Sequence, residues 1–508
     1  MDTIVVGKLA LTDPQNDPQL NEDTAFLVRD DKIVRVGRLA DVTIGLDDRS
    51  YSPMTFDLVI PGFINSHHHV YGLSPLQQGC LDESLELWLL ALGKIPSLND
   101  RLATMASSIS QLKSGVTTLV HSDGPSSGQS YETVIRERLE GYKATGQRVA
   151  FAVGYADQNN LVYAPDKDFI ASLPADLTSE IKNHLTSSPP PTLVEYEGLF
   201  DRTFHWLKGK APSRMRLLAG PLSPIWCSPE ALEMTGEICK RHDTGLHTHL
   251  LESIYQRHYA KTILGKSMVS YLASLSLLGP LSSFAHGVWV SRNDIGLLGE
   301  SGSTIVHNPS SNLRLRNGIA PVIPMLREGV SVALGQDATS LDDDDDFFKE
   351  IRLAGRLHFS PGEFDEYIDV LKVVQLLYKG GASASLWGTQ VGSLLPGAKA
   401  DMVGISLERV PLTRCTSPAD RLTTVLQRLR STDVRWVMVD GKEVIRDGHS
   451  VSCDEDELRG MLMQQVQTSA ARSAGTITLA DRLRPHVRGF YARQAIDVDD
   501  SFSKYNAV

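Results

Sequence analysis

The sequence predicts an α/β protein, in which a (β/α)8 TIM barrel stands beside a small β-sandwich domain built from both ends of the chain. Two patterns carry this prediction: strand-like and helix-like stretches alternate through the middle of the chain, and hairpin patterns occur near each end. We expect residues 1–57 and 392–455 to form the composite β-domain and residues 58–391 to form the barrel. An insertion is expected near residues 157–205, and residues 456–508 are expected to be a C-terminal extension.

The composition is that of an ordinary globular protein, and it argues against several other classes. Of the 508 residues, 42% are hydrophobic and 22% are charged, and the formal net charge is -11. A chain this acidic is not expected to bind nucleic acid. The 5 cysteines form no Cys-x-x-Cys pair, so neither a disulfide framework nor a thiolate zinc site is predicted. Because no apolar run approaches the roughly 20 residues that span a bilayer, we expect a cytoplasmic protein without a membrane contact.

The two ends of the chain contain short strand patterns that are separated by turn residues. Near the N-terminus these cover residues 3–11, 24–29 and 32–36, with Asp30 and Asp31 as a hairpin turn. Residues 433–445 show the same pattern near the C-terminus, with Asp440 and Gly441 as the turn. We therefore expect the two ends to supply strands to one β-domain.

The middle of the chain contains eight candidate strands, which is the number that a (β/α)8 barrel requires. They cover residues 58–64, 117–121, 149–154, 216–220, 245–249, 283–286, 304–307 and 331–337. Helix-like stretches, such as residues 229–241, lie between them. In such barrels the catalytic groups lie at the C-terminal ends of the strands, so functional residues are expected there.

Three consecutive histidines follow the first candidate strand, and two of them are expected to share a face. Successive side chains of a strand point to opposite faces, so His67 and His69 point together while His68 points away. Two imidazoles that converge at a strand end suit a divalent metal ion. A surface cluster of histidines explains the run equally well, so the metal hypothesis depends on distant residues that complete the coordination.

Polar residues at the ends of later candidate strands can supply the missing ligands. The fifth strand ends in His247 and His249, the sixth in His286, the seventh in His307 and the eighth in Asp337. One histidine in such a place is more often a hydrogen-bonded structural residue than a ligand. The whole series is hard to assign to chance, and it predicts a metal site at the mouth of the barrel.

The sequence blocks around these residues resemble those of the amidohydrolase superfamily. PGFINSHHHV, AHGVWVS, VHNPSSNLRLRNGIAPV, LGQD and VGSLLPGAKADMV are similar to blocks of its chlorohydrolase and aminohydrolase branch. This branch includes S-adenosylhomocysteine, guanine and 8-oxoguanine deaminases and triazine hydrolases. The resemblance covers nearly everything from residue 1 to about residue 450.

The resemblance implies a metal site with an acid–base group beside it. The implied ligands of one divalent metal ion, zinc with iron or manganese as alternatives, are His67, His69, His249 and Asp337. His286 is implied to lie beside the metal-bound water, and Glu252 is implied to shuttle the proton. Three imidazoles and a carboxylate can hold zinc and leave a position for water. No lysine lies in the fourth candidate strand, MRLLAG, so one metal ion is expected rather than two.

The expected reaction is hydrolytic deamination of an amino-substituted N-heterocycle, of purine, pterin or triazine type, by a metal-bound hydroxide. The alternatives at the same site are hydrolysis of an amide, urea or carbamate C–N bond and dechlorination of a triazine. A non-catalytic barrel is disfavoured because none of the implied ligands is missing. We also expect a small-molecule substrate and a homo-oligomer.

Weaker signals concern the substrate pocket. Trp88 in LELWLL resembles the tryptophan of the branch's substrate loop, although a core tryptophan on an amphipathic helix fits the pattern equally well. His307 is expected to shape the pocket, either by contacting the substrate or by fixing the loop, whereas His247 is expected to support the site or belong to the core. The five aspartates of residues 342–346 favour a helix N-terminus through the helix dipole, with recruitment of a cationic substrate as the alternative.

Overall fold

The chain folds around two eight-stranded sheets, one a parallel barrel and the other a mixed sheet. The computed structural model describes residues 2–47, 51–124, 129–187, 189–208, 214–338, 340–359, 367–415, 417–473, 478–496 and 502. The barrel strands are Phe63–His68, Val116–Ser122, Arg148–Tyr155, Met215–Pro221, Leu246–Leu250, Ser282–His286, Thr304–His307 and Ser331–Leu334. They are almost entirely buried, as expected of parallel strands that are covered on both faces.

Backbone hydrogen bonds join the end of the eighth barrel strand to the first. The amides of Gln336 and Asp337 donate to the carbonyl of His67 at 3.2 and 2.9 Å. Because all eight strands run in parallel, their C-terminal ends meet at one mouth. The predicted fold, a (β/α)8 barrel with a separate sheet, is confirmed.

The mixed sheet takes strands from both ends of the chain. These strands are Thr3–Asp13, Asp17–Arg29, Lys32–Gly37, Met54–Pro61, Met402–Ile405, Val434–Val439, Lys442–Arg446 and His449–Ser450. Hairpin turns lie where they were predicted, at Asp30–Asp31 and at Asp440–Gly441. The division of the chain into domains at residues 57, 391 and 455 stays a prediction.

The predicted first barrel strand, residues 58–64, is wrong, because the structure divides it between the two sheets. Met54–Pro61 pairs within the mixed sheet, and the barrel strand is Phe63–His68. Gly62 lies at the crossing, where a Cβ atom would stand only 2.0 Å from Thr117 Oγ1. The apolar run continues through both strands, so hydrophobicity could not reveal where one sheet ends and the other begins.

Helices surround the barrel and connect its strands. The main ones are Leu39–Val42, Leu85–Leu92, Asp100–Lys113, Tyr131–Thr145, Pro229–His242, Ile254–Tyr259, Met268–Ser274, Arg292–Ser301, Pro309–Arg314, Val322–Arg327, Phe347–Leu357, Val370–Gln375, Gly381–Ala384 and Pro418–Arg428. Short 3-10 or π turns cover Leu76–Gln78, Ala260–Leu264, Leu376–Gly380, Gly388–Gln390 and Ser431–Asp433. Across the described ranges, no helix is long and apolar enough to cross a membrane.

Two further groups of helices belong to the predicted insertion and the predicted C-terminal extension. The region near 157–205 contains Asp166–Ala171, Ala175–Ser187 and Leu193–Lys208, and the end of the chain contains Glu455–Ser473 and Leu479–Ala492. Parts of the predicted extension, residues 474–477, 497–501 and 503–508, lie outside the described residues. A homo-oligomeric state and a cytoplasmic location stay predictions.

Candidate active site

Four side chains from three strand ends converge at the mouth of the barrel. They are His67, His69, His249 and Asp337, here called the His/Asp group, and each offers one ligand atom within 4.8 Å of the others. Asp337 Oδ1 lies 3.4 Å from His67 Nε2 and 3.3 Å from His69 Nε2. The Nε2 atoms of His69 and His249 are 3.2 Å apart. The structure therefore brings together all four residues that were predicted as metal ligands.

Hydrogen bonds at the outer nitrogens orient the imidazoles of the group. His249 Nδ1 lies 2.6 Å from the carbonyl of Leu222, which can only accept, so Nδ1 carries the hydrogen and Nε2 presents a lone pair to the group. His67 Nδ1 contacts His247 Nε2 at 2.7 Å, and His247 Nδ1 contacts Ser283 Oγ at 2.8 Å. His247 thus supports His67, as predicted for a residue deeper in the strand. Partners of this kind commonly fix the tautomer of a metal-binding histidine.

The donor set fits a divalent metal ion. His67 Nε2 is buried and points into the group without a hydrogen-bond partner among the described residues, a costly state that a bound cation would relieve. Burial lowers the pKa of His69 to about 3 and also lowers the pKa values of His67 and His249. All three imidazoles are therefore neutral, which is the form that binds metal.

His68, the middle histidine of the run, supports the eighth strand end. Its Nδ1 lies 2.5 Å from the carbonyl of Asp337, so His68 donates to the backbone of a residue whose carboxylate belongs to the His/Asp group. The carboxylate itself accepts from Ser311 Oγ at 2.6 Å. Alternation along the strand correctly placed His68 away from the group, but it could not show this contact.

Glu252 and His286 lie next to the His/Asp group. His286 Nε2 is 3.7 Å from Glu252 Oε2 and 3.8 Å from Asp337 Oδ2. Asparagines hold both residues from behind: Asn317 Nδ2 donates to Glu252 Oε1 at 2.8 Å, and His286 Nδ1 contacts Asn312 Oδ1 at 2.9 Å. Burial raises the pKa of Glu252 well above its ordinary value, and burial lowers the pKa of His286 to about 4.

Three positions at this mouth have a left-handed backbone although they are not glycine. The φ angles are 46° at Leu251, 77° at His286 and 60° at Asp337. Such conformations cost about 1–3 kcal/mol each and persist only where the surrounding structure enforces them. Each angle turns the chain sharply at a strand end, so that Glu252 and the other two side chains face the same space.

A cavity of about 430 Å³ opens beside the group. Its apolar wall includes Trp88, Leu89, Leu92, Trp226 and Leu315, and its polar wall includes His69, Asp100, His121, Asp123, Arg138, His249, Glu252 and Asp337. The cavity thus combines an aromatic surface with the predicted ligands and acid. Pockets that are largely apolar with a few converging polar groups are typical small-molecule sites.

Arg138 and its two carboxylates form a part of the cavity wall that sequence reasoning missed. The guanidinium of Arg138 lies 2.8 Å from Asp100 Oδ1 and also forms an ion pair with Asp123. These residues lie on two helices and after a strand, far apart in the sequence and without a motif. Only the packing of helix Tyr131–Thr145 on helix Asp100–Lys113 brings them together.

The two residues that were predicted to contact substrate have different positions. Trp88 lies in the cavity wall, and its Nε1 is buried without a hydrogen-bond partner in the described part of the chain. His307 is buried outside the residues that line this cavity, and its Nε2 contacts His358 Nε2 at 3.0 Å. The substrate contact of His307 stays a prediction: His358 engages its Nε2, and its Nδ1 is buried without a hydrogen-bond partner among the described residues.

The acidic run at residues 342–346 begins a helix, as the dipole argument predicted. Asp346 is the N-cap of helix Phe347–Leu357 and accepts from the amide of Phe348 at 3.1 Å. Lys349 forms ion pairs with Asp342 and Asp344, both at 2.5 Å. Internal partners therefore engage these three carboxylates, which argues against recruitment of a cationic substrate.

The sequence profile of the Amidohydrolase family matches residues 58–444, which is most of the chain. The chain belongs to the amidohydrolase family. The match includes all four residues of the His/Asp group together with Glu252 and His286, and it confirms the superfamily resemblance of the sequence blocks.

Curated relatives of this family member are deaminases. The chain is 34% identical over 267 residues to a 5'-deoxyadenosine deaminase of Methanosarcina barkeri. The aligned region covers 52% of this chain and 59% of the relative. It is 25% identical over 460 residues to a 5-methylthioadenosine/S-adenosylhomocysteine deaminase of Desulforamulus reducens. That aligned region covers 89% of this chain and 95% of the relative. For the relatives with higher identity, the aligned region spans little more than half of their length. It covers 57% of the 5'-deoxyadenosine deaminase of Methanosarcina mazei.

Two solved structures share the fold. An adenosine deaminase from Xanthomonas campestris with bound zinc has a TM-score of 0.74 at 19% identity, and the match covers 92% of this chain and 99% of that one. Atrazine chlorohydrolase from Arthrobacter aurescens, complexed with zinc, has a TM-score of 0.73 at 20% identity, covering 91% and 100%. At these identities the likeness establishes the architecture alone.

Proposed function

We propose that this protein is a metal-dependent aminohydrolase, which removes an amino group from an N-heterocycle with water and releases ammonia. The observation that carries the proposal is the convergence of the His/Asp group, Glu252 and His286 beside one cavity. The names of the curated relatives support a purine base as the heterocycle. Nucleosides of 6-aminopurine with altered 5' positions are therefore the substrates to test first.

The His/Asp group is proposed to hold one divalent metal ion. When bound, such an ion lowers the pKa of a coordinated water to roughly 7 and so makes hydroxide available at neutral pH. Zinc is the proposed metal, because three imidazoles and one carboxylate suit it and because two similar structures contain it. One ion is proposed rather than two, because the fourth strand, Met215–Pro221, carries no lysine.

Glu252 is proposed to move the proton that deamination requires. The reaction forms a bond from the water oxygen to the ring carbon and breaks the bond from that carbon to the amino nitrogen, which leaves as ammonia. A proton must reach the ring nitrogen and the leaving nitrogen on the way. Asn317 holds Glu252 Oε1, which leaves Oε2 directed towards His286, next to the His/Asp group.

Asp337 and His286 are proposed to act on the attacking water. Asp337 Oδ2 accepts from Ser311 and lies 3.8 Å from His286 Nε2, so one water beside the pair can contact both atoms and give its proton to either group. His286 Nδ1 is engaged by Asn312. Its Nε2 has no hydrogen-bond partner among the described residues and lies near both Glu252 and Asp337. Once protonated, His286 would stabilise the negative charge that develops on the substrate.

Ammonia release from a panel of compounds tests the proposed reaction. The panel contains 6-aminopurine nucleosides, free aminopurines, aminopterins, aminopyrimidines and aminotriazines, together with amides, ureas, carbamates and a chlorotriazine. Ammonia from an aminoheterocycle supports the proposal, and the Glu252→Gln variant serves as the control for contaminating deaminases. Cleavage of only the amide, urea or carbamate compounds, or release of chloride alone, would support the alternative reactions instead.

Metal analysis of the purified protein tests the proposed ion. We expect about one equivalent of divalent metal per chain, which a chelator removes together with the activity and which added zinc restores. Two equivalents, or retention of full activity in metal-free protein, would contradict the mononuclear assignment.

A further inference from the structure

The C-terminal helix Leu479–Ala492 packs against the helix that carries Trp88. Asp481 forms an ion pair with Lys94 at 2.8 Å, and Arg484 forms one with Glu83, so the two pairs flank helix Leu85–Leu92. The inner face of the C-terminal helix buries Leu483, Val487 and Tyr491. This helix belongs to the C-terminal extension, beyond the residues that the family profile matches.

Tyr491 begins a chain of hydrogen bonds that ends at Glu252. The backbone amide of Tyr163 donates to Tyr491 Oη at 3.0 Å. Gln256 Nε2 donates to Tyr163 Oη at 3.4 Å, and Gln256 Oε1 accepts from the backbone amide of Glu252 at 2.8 Å. The chain therefore runs from the extension, through the predicted insertion, to the proposed proton carrier.

All members of this chain are buried, and the three supporting residues lie outside the cavity lining. Tyr491 and Tyr163 are each 7% exposed and Gln256 is 1% exposed. None of the three is among the residues that line the cavity beside the His/Asp group. Any effect of these residues on the reaction must therefore pass through their neighbours rather than through a contact with substrate.

The backbone at Glu252 needs support because it follows a strained residue. Leu251 has a φ of 46°, which a leucine adopts only when neighbouring contacts enforce it. Besides Gln256, a contact on the other side holds the same turn: Ser253 Oγ donates to Glu86 Oε1 at 2.5 Å. Glu86 itself lies on helix Leu85–Leu92, against which the C-terminal helix packs. Two of the contacts that hold the turn, those of Gln256 and Glu86, thus lead to the C-terminal helix. A third contact is the backbone hydrogen bond from Trp289 to the carbonyl of Leu251, at 3.0 Å.

We propose that Tyr491 is a positioning residue, which holds Glu252 at its working distance from the His/Asp group through Tyr163 and Gln256. The inference rests on the proposed function, since it assigns Glu252 the proton transfer. The C-terminal extension is then part of the active-site architecture and is required for full turnover. Ring contacts of Tyr491 with Tyr163 at 5.6 Å and with Tyr255 at 4.6 Å between centroids keep its hydroxyl in place.

The Tyr491→Phe variant tests the inference, because it removes the hydroxyl and keeps the ring. We expect kcat to fall about tenfold, since small misplacements of a catalytic group cost up to about 10²-fold. KM should stay within about twofold and the metal content should be unchanged, because Tyr491 touches neither the cavity nor the His/Asp group.

Two matched variants of the same helix separate positioning from simple packing. Val487→Ala removes buried side-chain volume on the inner face without touching the hydrogen-bond chain, and Arg488→Ala changes an exposed residue. Val487→Ala should lower the melting temperature more than Tyr491→Phe does, yet leave kcat closer to that of the wild type. If kcat instead follows the melting temperature across these variants, the role of Tyr491 is only structural and the inference is overturned.

A double-mutant cycle with Glu252→Gln decides whether Tyr491 acts through Glu252. In the Glu252→Gln background, Tyr491→Phe should cost no further activity, since the group it positions has already been removed. Full additivity of the two losses would overturn the inference while leaving the proposed function intact. An unchanged kcat in Glu252→Gln alone would overturn the proton-transfer role of Glu252, and with it the role of Tyr491.

Discussion

The candidate active site has two sides, which are held in place by different means. The His/Asp group forms the ligand side, and Glu252 forms the acid side. The His/Asp group is supported by the barrel itself: His67 is hydrogen-bonded to His247 of the fifth strand, and His249 is hydrogen-bonded to the carbonyl of Leu222. Glu252 is supported instead by asparagine and glutamine side chains from loops and helices outside the strands. The strands thus fix the positions of the predicted ligands, whereas the acid is held by loop and helix residues, to which we propose that Tyr491 of the C-terminal helix contributes.

The largest expected effect lies on the ligand side. Asp337→Asn should lose metal and should lower turnover by at least about 10⁴-fold, the upper end of what one proton-transfer group contributes, because a ligand and a base are removed together. Metal analysis and kcat measure the two losses. Asp342→Asn, the same change at an exposed carboxylate, should alter neither quantity. Normal metal content in Asp337→Asn would show that this carboxylate is not needed for metal binding, and it would remove the expected difference from Glu252.

The next effect lies on the acid side and should be separable from metal binding. Glu252→Gln can still accept a hydrogen bond from Asn317, so the fold and the metal content should be kept. Turnover should fall about 10²–10⁴-fold because proton delivery is lost. Near-normal kcat with a full complement of metal would show that another residue supplies the proton and that Glu252 has no acid–base role.

The same contrast decides what could be predicted from the sequence. The ligand side was predictable, because strand alternation places His67 and His69 on one face and because each remaining ligand ends an apolar strand. The barrel was predictable for the same reason, apart from the first strand. At Gly62 the chain passes from one sheet to the other within a single apolar run, and no pattern marks the crossing.

The side-chain contacts around the cavity could not be predicted, since they depend on packing between distant segments. Arg138 meets Asp100 only because two helices pack side by side, and Tyr491 meets Tyr163 only because the C-terminal helix returns to the mouth of the barrel. His307 also ends a strand, but its partner His358 comes from a segment that sequence patterns could not place, so this contact was not predicted.

A smaller effect is expected from the aromatic wall of the cavity. Trp88→Leu keeps an apolar side chain but removes a ring surface on which a heterocycle can stack, and aromatic pairs of this kind contribute about 0.5–1.5 kcal/mol. We therefore expect KM to rise up to about tenfold, with metal content unchanged. His307→Asn is the matched comparison, and its KM should stay near the wild-type value. A larger rise in KM for His307→Asn than for Trp88→Leu would reverse the assignment of the cavity wall.

The smallest effect should fall on stability alone, at the acidic run of residues 342–346. Asp346 caps helix Phe347–Leu357 through Oδ1 and accepts from the amide of Ser431 through Oδ2 at 3.2 Å. Removing an N-cap of this kind costs about 0.5–2 kcal/mol, so Asp346→Ala should lower the free energy of unfolding in urea by that amount. Asp346→Asn should lose less stability than Asp346→Ala, because asparagine still caps the helix but its amide nitrogen cannot accept from Ser431. KM should be unchanged in both variants and in Asp342→Asn, because Lys349 already engages the outer carboxylates. A rise in KM without a loss of stability would mean instead that the acidic run attracts a cationic substrate.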